Sequence, residues 1–595
     1  MNALHARTLH ERITAAGKFG ATVAPRRRAD DLTAMWRQCL GGAGALESRI
    51  ADLNLGPVCP EAVLGTFSTG ASAHWLGFLR EAIAYTPTRA YTPNRHDPLT
   101  VTPAKRSGAV SGDAMQQAFT PFLQAACARL VVRAGKTLNM LSRGALASLE
   151  RQLLLSLSAL AAQAIEQESE LRAALAGEFP WTMVAPNDSS LERLGDGLAF
   201  GGWKNLLCEY PVLGRLLAAR AERWVEDIST VLGRLSVDAP DAGLVEQIEL
   251  SCGDTHAGGR TVTLLLTSDG TRRVYKARSL ALEKWFQQLL KAVNGWGYST
   301  PFRILSVVDR GAYGWMESVV PVACRDTADI DGLQRRAGGL LCLLGFLQAT
   351  DIHRENVIFA GAQPVIIDLE TLIHPRLPAP VAQALGVGSI RLQGAAGDPA
   401  WLETGILPIL PPATGASAGA TLAKDFSVLR ALPASPARDD NLIAGFKEMY
   451  HLVSGHKDAL LARIDALQGM EARVVVRSTS TYHTLLQHSL QPALLRDGAA
   501  RGICFEVLRA AALRENAHSQ IQSLVDAELQ ALENFDVPCF TYTMGTPCDR
   551  PHLLASLFAG NPLDEVRKRI STANPETLPA LINMIAAVVS GRITT

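Results

Sequence analysis

DIHRENVIFAGAQPVIIDLETL, residues 351–372, is the stretch on which the reading of this chain turns. It holds two short apolar runs, VIF and VII, joined by Ala-Gly-Ala-Gln-Pro and bounded by polar residues. Short β-branched runs separated by Gly and Pro predict two paired strands. Directly upstream, DTADIDGLQRRAGGLLCLLGFLQAT (326–350) sets Leu333, Ala337, Leu340, Leu341, Leu344 and Leu347 at helical spacing. A buried helix thus delivers the chain to a polar loop, a hairpin carries it away, and Asp368 stands at the far end.

Working outward, Val245–Leu250 reads as a strand followed by the glycine-bearing loop CGDTHAGGR (252–260). TVTLLLTSDGTRRVYKA (261–277) then gives two β-rich runs around Asp269-Gly270, a strong hairpin signal. Past Lys276, the residues Leu282, Trp285, Phe286, Leu289, Leu290 and Val293 form an amphipathic helix, stopped by Asn294-Gly295. Two more strands, in FRILSVV and YGWMESVV, end at Pro321. Residues 1–244 read as a mainly helical region, with Leu146, Leu149, Leu153, Leu157, Leu160 and Ala164 on one helix face and a second helix from Val212 to Leu235 after Pro211. Residues 376–430, rich in Ala, Gly and Pro, predict a long loop. From 441 to 595 helices dominate, interrupted by the β-like ARVVVRSTSTYHTLL (472–486). The expected class is α+β: the helical N-terminal region, a small antiparallel sheet in 245–322, a helical part with the polar loop in 323–440, and further C-terminal helices.

Bulk properties narrow the field. Length 595 exceeds one ordinary core. Lys+Arg and Asp+Glu are 57 each, so the charge balance offers nothing for nucleic acid or an anionic membrane. The ten cysteines are scattered, with no CxxC pair, which favours reduced thiols in a cytoplasm over a disulfide framework. No signal-peptide core opens the chain. The apolar LLLSLSALAAQAI near residue 155 is too short and too polar-flanked to span a bilayer.

Phosphoryl transfer needs metal ions and a positive side chain on the nucleotide phosphates, and a carboxylate to orient the attacking hydroxyl. Protein kinases keep the catalytic Asp and a metal-binding Asn five residues apart on one loop. Asp351 and Asn356 have that spacing, Asp368 follows across one hairpin, and Lys276 ends a strand just before an amphipathic helix. The order of parts points to a kinase-like core. It departs from ordinary protein kinases: residues 253–260 are not GxGxxG, Leu-Glu follows Asp368, and His353 lies within the loop. DxHxxN loops also serve small-molecule antibiotic kinases, so spacing alone leaves the substrate open.

In order, GDTHAGGRTV, VYKARS, YGWMES, DIHRENVI, PVIIDLETL and RVVVRSTSTY resemble the dehydratase domain of class II lanthipeptide synthetases (LanM type) across residues 245–545. VYKARS departs where that family usually has proline after the lysine. The resemblance implies a lipid-kinase-like bilobal core that uses ATP and Mg2+ to phosphorylate Ser/Thr of a precursor peptide, then eliminates phosphate to leave dehydroalanine or dehydrobutyrine. It assigns phosphorylation to Lys276, Asp351, His353, Asn356 and Asp368, with Asn356 and Asp368 on magnesium and Glu370 beside the nucleotide. Elimination falls to Asp254, His256, Arg473 and Thr479, with Lys276 serving both steps. An arginine suits a leaving phosphate through its fixed fork of donors. Asp254 and His256 share a face if their segment is extended, as do Arg473 and Thr479 on a regular strand. Neutral Lys276 and His256 are both candidates for the base.

Full members of that family add a zinc-dependent cyclase. The chain stops at Thr595, where the dehydratase part would end, and has no Cys-His dipeptide. No zinc on Cys539 and Cys548, and no cyclisation, is expected; the cyclase would be separate or deleted. The implied partner is a precursor peptide with a leader and a Ser/Thr-rich core. Two rivals stand beside this reading: a kinase that stops at phosphorylation, and a non-catalytic pseudokinase that binds a peptide.

Overall fold

In a computed structural model the described residues are 5–16, 26–53, 74–84, 112–175, 202–250, 261–387, 401–407, 427–515, 519–545, 557–558 and 560–590. They are helix-rich with small antiparallel sheets, an α+β protein. The chain divides into two units. One gathers Met1–Arg272, Ser478–Arg514 and Val525–Pro538; the other gathers Arg273–Arg477, Glu515–Leu524 and Cys539–Thr595.

In the first unit the expected apolar stripes form long helices. Arg143–Leu175 buries Leu149, Leu153, Leu157, Leu160 and Ala164. Pro211–Asp238 opens with proline at its first turn, where the missing N–H leaves nothing unsatisfied. Trp224 of this helix donates from Nε1 to the Leu149 carbonyl at 3.1 Å. By length and composition the helical span Arg143–Leu171 could cross a membrane. Its extent exceeds the apolar centre seen in the sequence because the helix continues through charged turns. Its Gln152 instead clamps strand β1 (Val245–Glu249), donating to the Ile248 carbonyl and accepting from the Leu250 N–H, both at 2.8 Å. β1 pairs antiparallel with β2 (Thr263–Thr267). Sequence-distant segments are tied by charge: Asp497, the cap of helix Gly498–Phe505, accepts from Arg12 at 2.9 Å and lies 3.2 Å from His5 Nδ1.

The second unit places the site. β3 (Arg272–Lys276, whose first residue belongs to the other unit) pairs antiparallel with β5 (Gly314–Glu317), which pairs with β4 (Val307–Asp309); Lys276 sits opposite Gly314. Helix Ala281–Gly295 packs the predicted stripe inward. Helix Thr327–Phe346, capped by the Asp326 carboxylate on the Asp329 N–H, is the core element. It crosses helix Arg438–Gly455 with backbones nearly touching. A Cβ on Gly338 would lie 1.8 Å from the Leu442 carbonyl oxygen, and one on Gly445 would lie 1.9 Å from that of Arg335. The expected hairpin is β6 (Val357–Ala360) with β7 (Gln363–Ile366), turning at Gly361 with φ +63°. β8 (Glu471–Val474) pairs with β9 (Phe540–Thr543). Here expectation and structure part. The strand ends at Val474, and Ser478, accepting a hydrogen bond from the Ser480 N–H, caps helix Thr479–His488. The predicted loop 376–430 also holds short helices, Ala379–Leu385 and Val428–Ala431.

Candidate active site

The polar loop starts under strain. Gln348 and Asp351 have φ of +51° and +62°, and β-branched Ile373 has +54°. Such conformations cost about 1 kcal/mol or more each and persist where surroundings over-determine them. The surroundings here are a double clamp. The N–H groups of Ile373 and His374 donate to the Leu347 and Gln348 carbonyls, both at 3.0 Å, and the Ile352 N–H donates to Thr404 at 2.9 Å. The Asn356 amide donates to the Asp351 carbonyl at 2.8 Å, and the Ile367 N–H donates to the Asn356 carbonyl at 2.9 Å. The hairpin thereby ties loop 351–356 to the segment carrying Asp368. His353 Nε2 lies 3.5 Å from Asp351 Oδ1. Burial, only partly opposed by His353 and Arg473, raises the Asp351 carboxyl above its ordinary range.

Asp368 meets two cations through one oxygen: Arg278 at 2.6 Å and Lys276 at 3.3 Å. Burial alone would raise this carboxyl, but Lys276 and Arg278 hold it far below the usual carboxylate range. Lys276 is 5% exposed, donates to the Ile367 carbonyl at 2.8 Å and lies 3.6 Å from the buried Glu283. Arg278 reaches Glu283 at 2.5 Å and Glu370 at 3.2 Å. Glu370 also pairs with Arg473, whose own N–H donates to the Glu370 carbonyl at 2.6 Å. Burial works against the Arg473 charge, but Glu370 keeps its pKa above the ordinary value. Arg473 Nε is buried without a hydrogen-bond partner among the described residues. One cluster therefore links Lys276, Arg278 and Arg473 with Glu283, Asp368 and Glu370, and Asp351 lies close enough for its charge to act on it.

Asp254 and His256 lie outside the described residues. Thr479 opens a helix of the first unit rather than following Arg473 on a strand. Two members went unassigned in the sequence. Glu283 lies on the flank of an apolar stripe, seven residues before Leu290, and that flanking carboxylate was the available signal. Arg278 stood in VYKARS, two of its three partners ninety and ninety-two residues away. Cys539 is a thiol, pushed up to about 11 by burial despite Arg473 nearby.

No group of three His, Cys, Asp or Glu side chains arranged for a metal occurs among the described residues. Magnesium typically takes one or two protein oxygens together with substrate phosphates. The Asp368 carboxylate and the Asn356 side-chain oxygen fit that demand, on segments joined by the Asn356–Ile367 hydrogen bond.

His374 is fixed behind the cluster, its Nε2 accepting from the Val475 N–H at 2.9 Å. Burial, then Arg473, pulls its pKa from 6.5 down to about 4. The unfolded chain therefore binds this proton first, so stability is expected to fall as pH drops from 6.5 and to stop falling through this group near 4. Urea midpoints measured between those limits should decline more steeply in the native protein than in His374→Gln. Parallel declines would assign the loss to other groups.

Residues 210–439 and 424–543, more than half of the chain, match the family described as a domain of unknown function, DUF4135, and the chain belongs to that family. It is also similar to the lacticin 481/lactococcin biosynthesis protein LcnDR2 of Lactococcus lactis subsp. lactis. Identity is 25% over 286 residues, covering 40% of this chain and 30% of that protein.

Proposed function

We propose that this chain is an enzyme of lanthipeptide biosynthesis that phosphorylates Ser and Thr of a precursor peptide with magnesium-ATP and then eliminates the phosphate. The lanthipeptide assignment is supported by the family and by the relative named for lacticin 481 biosynthesis. The two-step chemistry is supported by one observation above the rest: a lysine and two arginines are interleaved with carboxylates within electrostatic reach of Asp351, whose backbone is strained.

In this reading the core is lipid-kinase-like, and Asp351 orients the peptide hydroxyl. Its raised pKa suits a group that must take up that proton. Asn356 and Asp368 would hold magnesium, which would neutralise charge on the transferring phosphoryl group, and Lys276 would contact the phosphates. His353 steadies Asp351. In the second step a base takes the α-proton, the Cβ–O bond breaks, and inorganic phosphate leaves with its electron pair. Lys276 and Arg473 stabilise that departing charge, and Arg473 Nε, without a hydrogen-bond partner among the described residues, has a donor to spare for it. Asp254, His256 and Thr479 complete the elimination set, with His256 as base.

Incubation with ATP, Mg2+ and a Ser/Thr-rich precursor peptide separates the outcomes by mass. Loss of water per site supports the proposal; stable gain of phosphate supports the kinase that stops. Arg473→Ala is expected to convert the first pattern into the second, slowing elimination by about a hundredfold or more. Full dehydration by that variant would remove Arg473 from the mechanism. If the wild-type protein never hydrolyses ATP with any peptide, the chain is a peptide-binding pseudokinase.

A further inference from the structure

We propose that Arg278 is a displaceable counter-ion for Asp368, neutralising this carboxylate before a divalent cation arrives and competing with that cation for it. The inference rests on the functional reading above, in which Asp368 takes the metal.

Asp368 Oδ1 is occupied twice, by Arg278 at 2.6 Å and Lys276 at 3.3 Å. A dication approaching this oxygen meets two positive charges, and one must withdraw. Lys276 is poorly placed to do so: it is 5% exposed and bonded to the Ile367 carbonyl. The Arg278 side chain is 29% exposed and holds a second anchor, Glu283, at 2.5 and 3.2 Å, with Glu370 a third at 3.2 Å. It can release Asp368 without becoming an unpaired buried charge, which is the condition that makes breaking most buried pairs costly. Glu283, otherwise an anomaly on an apolar helix flank, is the anchor that makes this retreat possible.

The two roles open to Arg278 predict opposite signs. A purely structural arginine supports the site, and its loss weakens cation binding. A competitor repels the cation, and its loss tightens binding. Repulsion should dominate, because Lys276 still holds the same oxygen at 3.3 Å, whereas a full positive charge within a few ångströms of a dication is a large term in a site of low dielectric.

The test uses the full chain with Mn2+ alone as probe, counting free ion by electron paramagnetic resonance. Arg278→Gln is expected to bind Mn2+ about tenfold more tightly than wild type. Arg278→Met, which removes the charge on a similar stem, should do the same and serves if the glutamine variant does not fold. Arg278→Lys should stay near wild type. Unchanged or weaker binding in the uncharged variants would overturn the competition. Asp368→Asn separates that failure from failure of the functional reading: if it binds Mn2+ as wild type does, Asp368 is no metal ligand and both fall.

Discussion

Asp368→Asn is expected to lower phosphoryl transfer by about a thousandfold or more while leaving the fold in place. The side chain carries a carboxylate oxygen that Lys276 and Arg278 both address, at 3.3 and 2.6 Å. An amide keeps the shape but removes the charge, so a cation loses its charged ligand and the two basic groups face a neutral partner. The fold should survive because Lys276 retains the Ile367 carbonyl and Glu283, and Arg278 retains Glu283 and Glu370. Neither phosphopeptide nor dehydrated peptide should accumulate when products are weighed by mass spectrometry. A variant within tenfold of wild type would place the metal-binding carboxylate elsewhere.

Gly338→Ala should cost about 3 kcal/mol or more. Two effects oppose each other. Alanine is favoured over glycine in a helix by about 1 kcal/mol. Against that, its Cβ would stand 1.8 Å from the Leu442 carbonyl oxygen, a backbone atom that cannot rotate away. The helices Thr327–Phe346 and Arg438–Gly455 would have to separate, opening a core that includes Leu341, Phe446 and Met449. The clash dominates because well-packed interiors accommodate little added volume. The urea midpoint is the readout; a variant as stable as wild type would mean the crossing is looser than its glycines indicate.

What the sequence disclosed follows the reach of its signals. The helix, loop and hairpin around 351–372 were legible because apolar period, Gly and Pro act over a few residues. The strand ending at Lys276 was legible for the same reason, through Asp269-Gly270. Arg278 was not, since its partners stand five, ninety and ninety-two residues away at Glu283, Asp368 and Glu370, and no local pattern encodes them. The bond from the Arg473 N–H to the Glu370 carbonyl is equally silent in the sequence. Around Thr479 a local signal was present and outweighed: the β-branched run Val474-Val475-Val476 argued for extension, whereas Ser478 was the helix cap that ended it.

The pairing of Asp497 with His5 and Arg12 reaches into the order of events on the ribosome. A chain emerging at ordinary elongation rates exposes its first helix on the order of tens of seconds before residue 497 has been made. During that interval the Arg12 guanidinium lacks its carboxylate, and the helix Leu9–Ala16 waits for a segment translated 485 residues later. Such late closure leaves that buried arginine without its partner through most of synthesis, and slower elongation lengthens the interval in which a chaperone can bind the nascent chain.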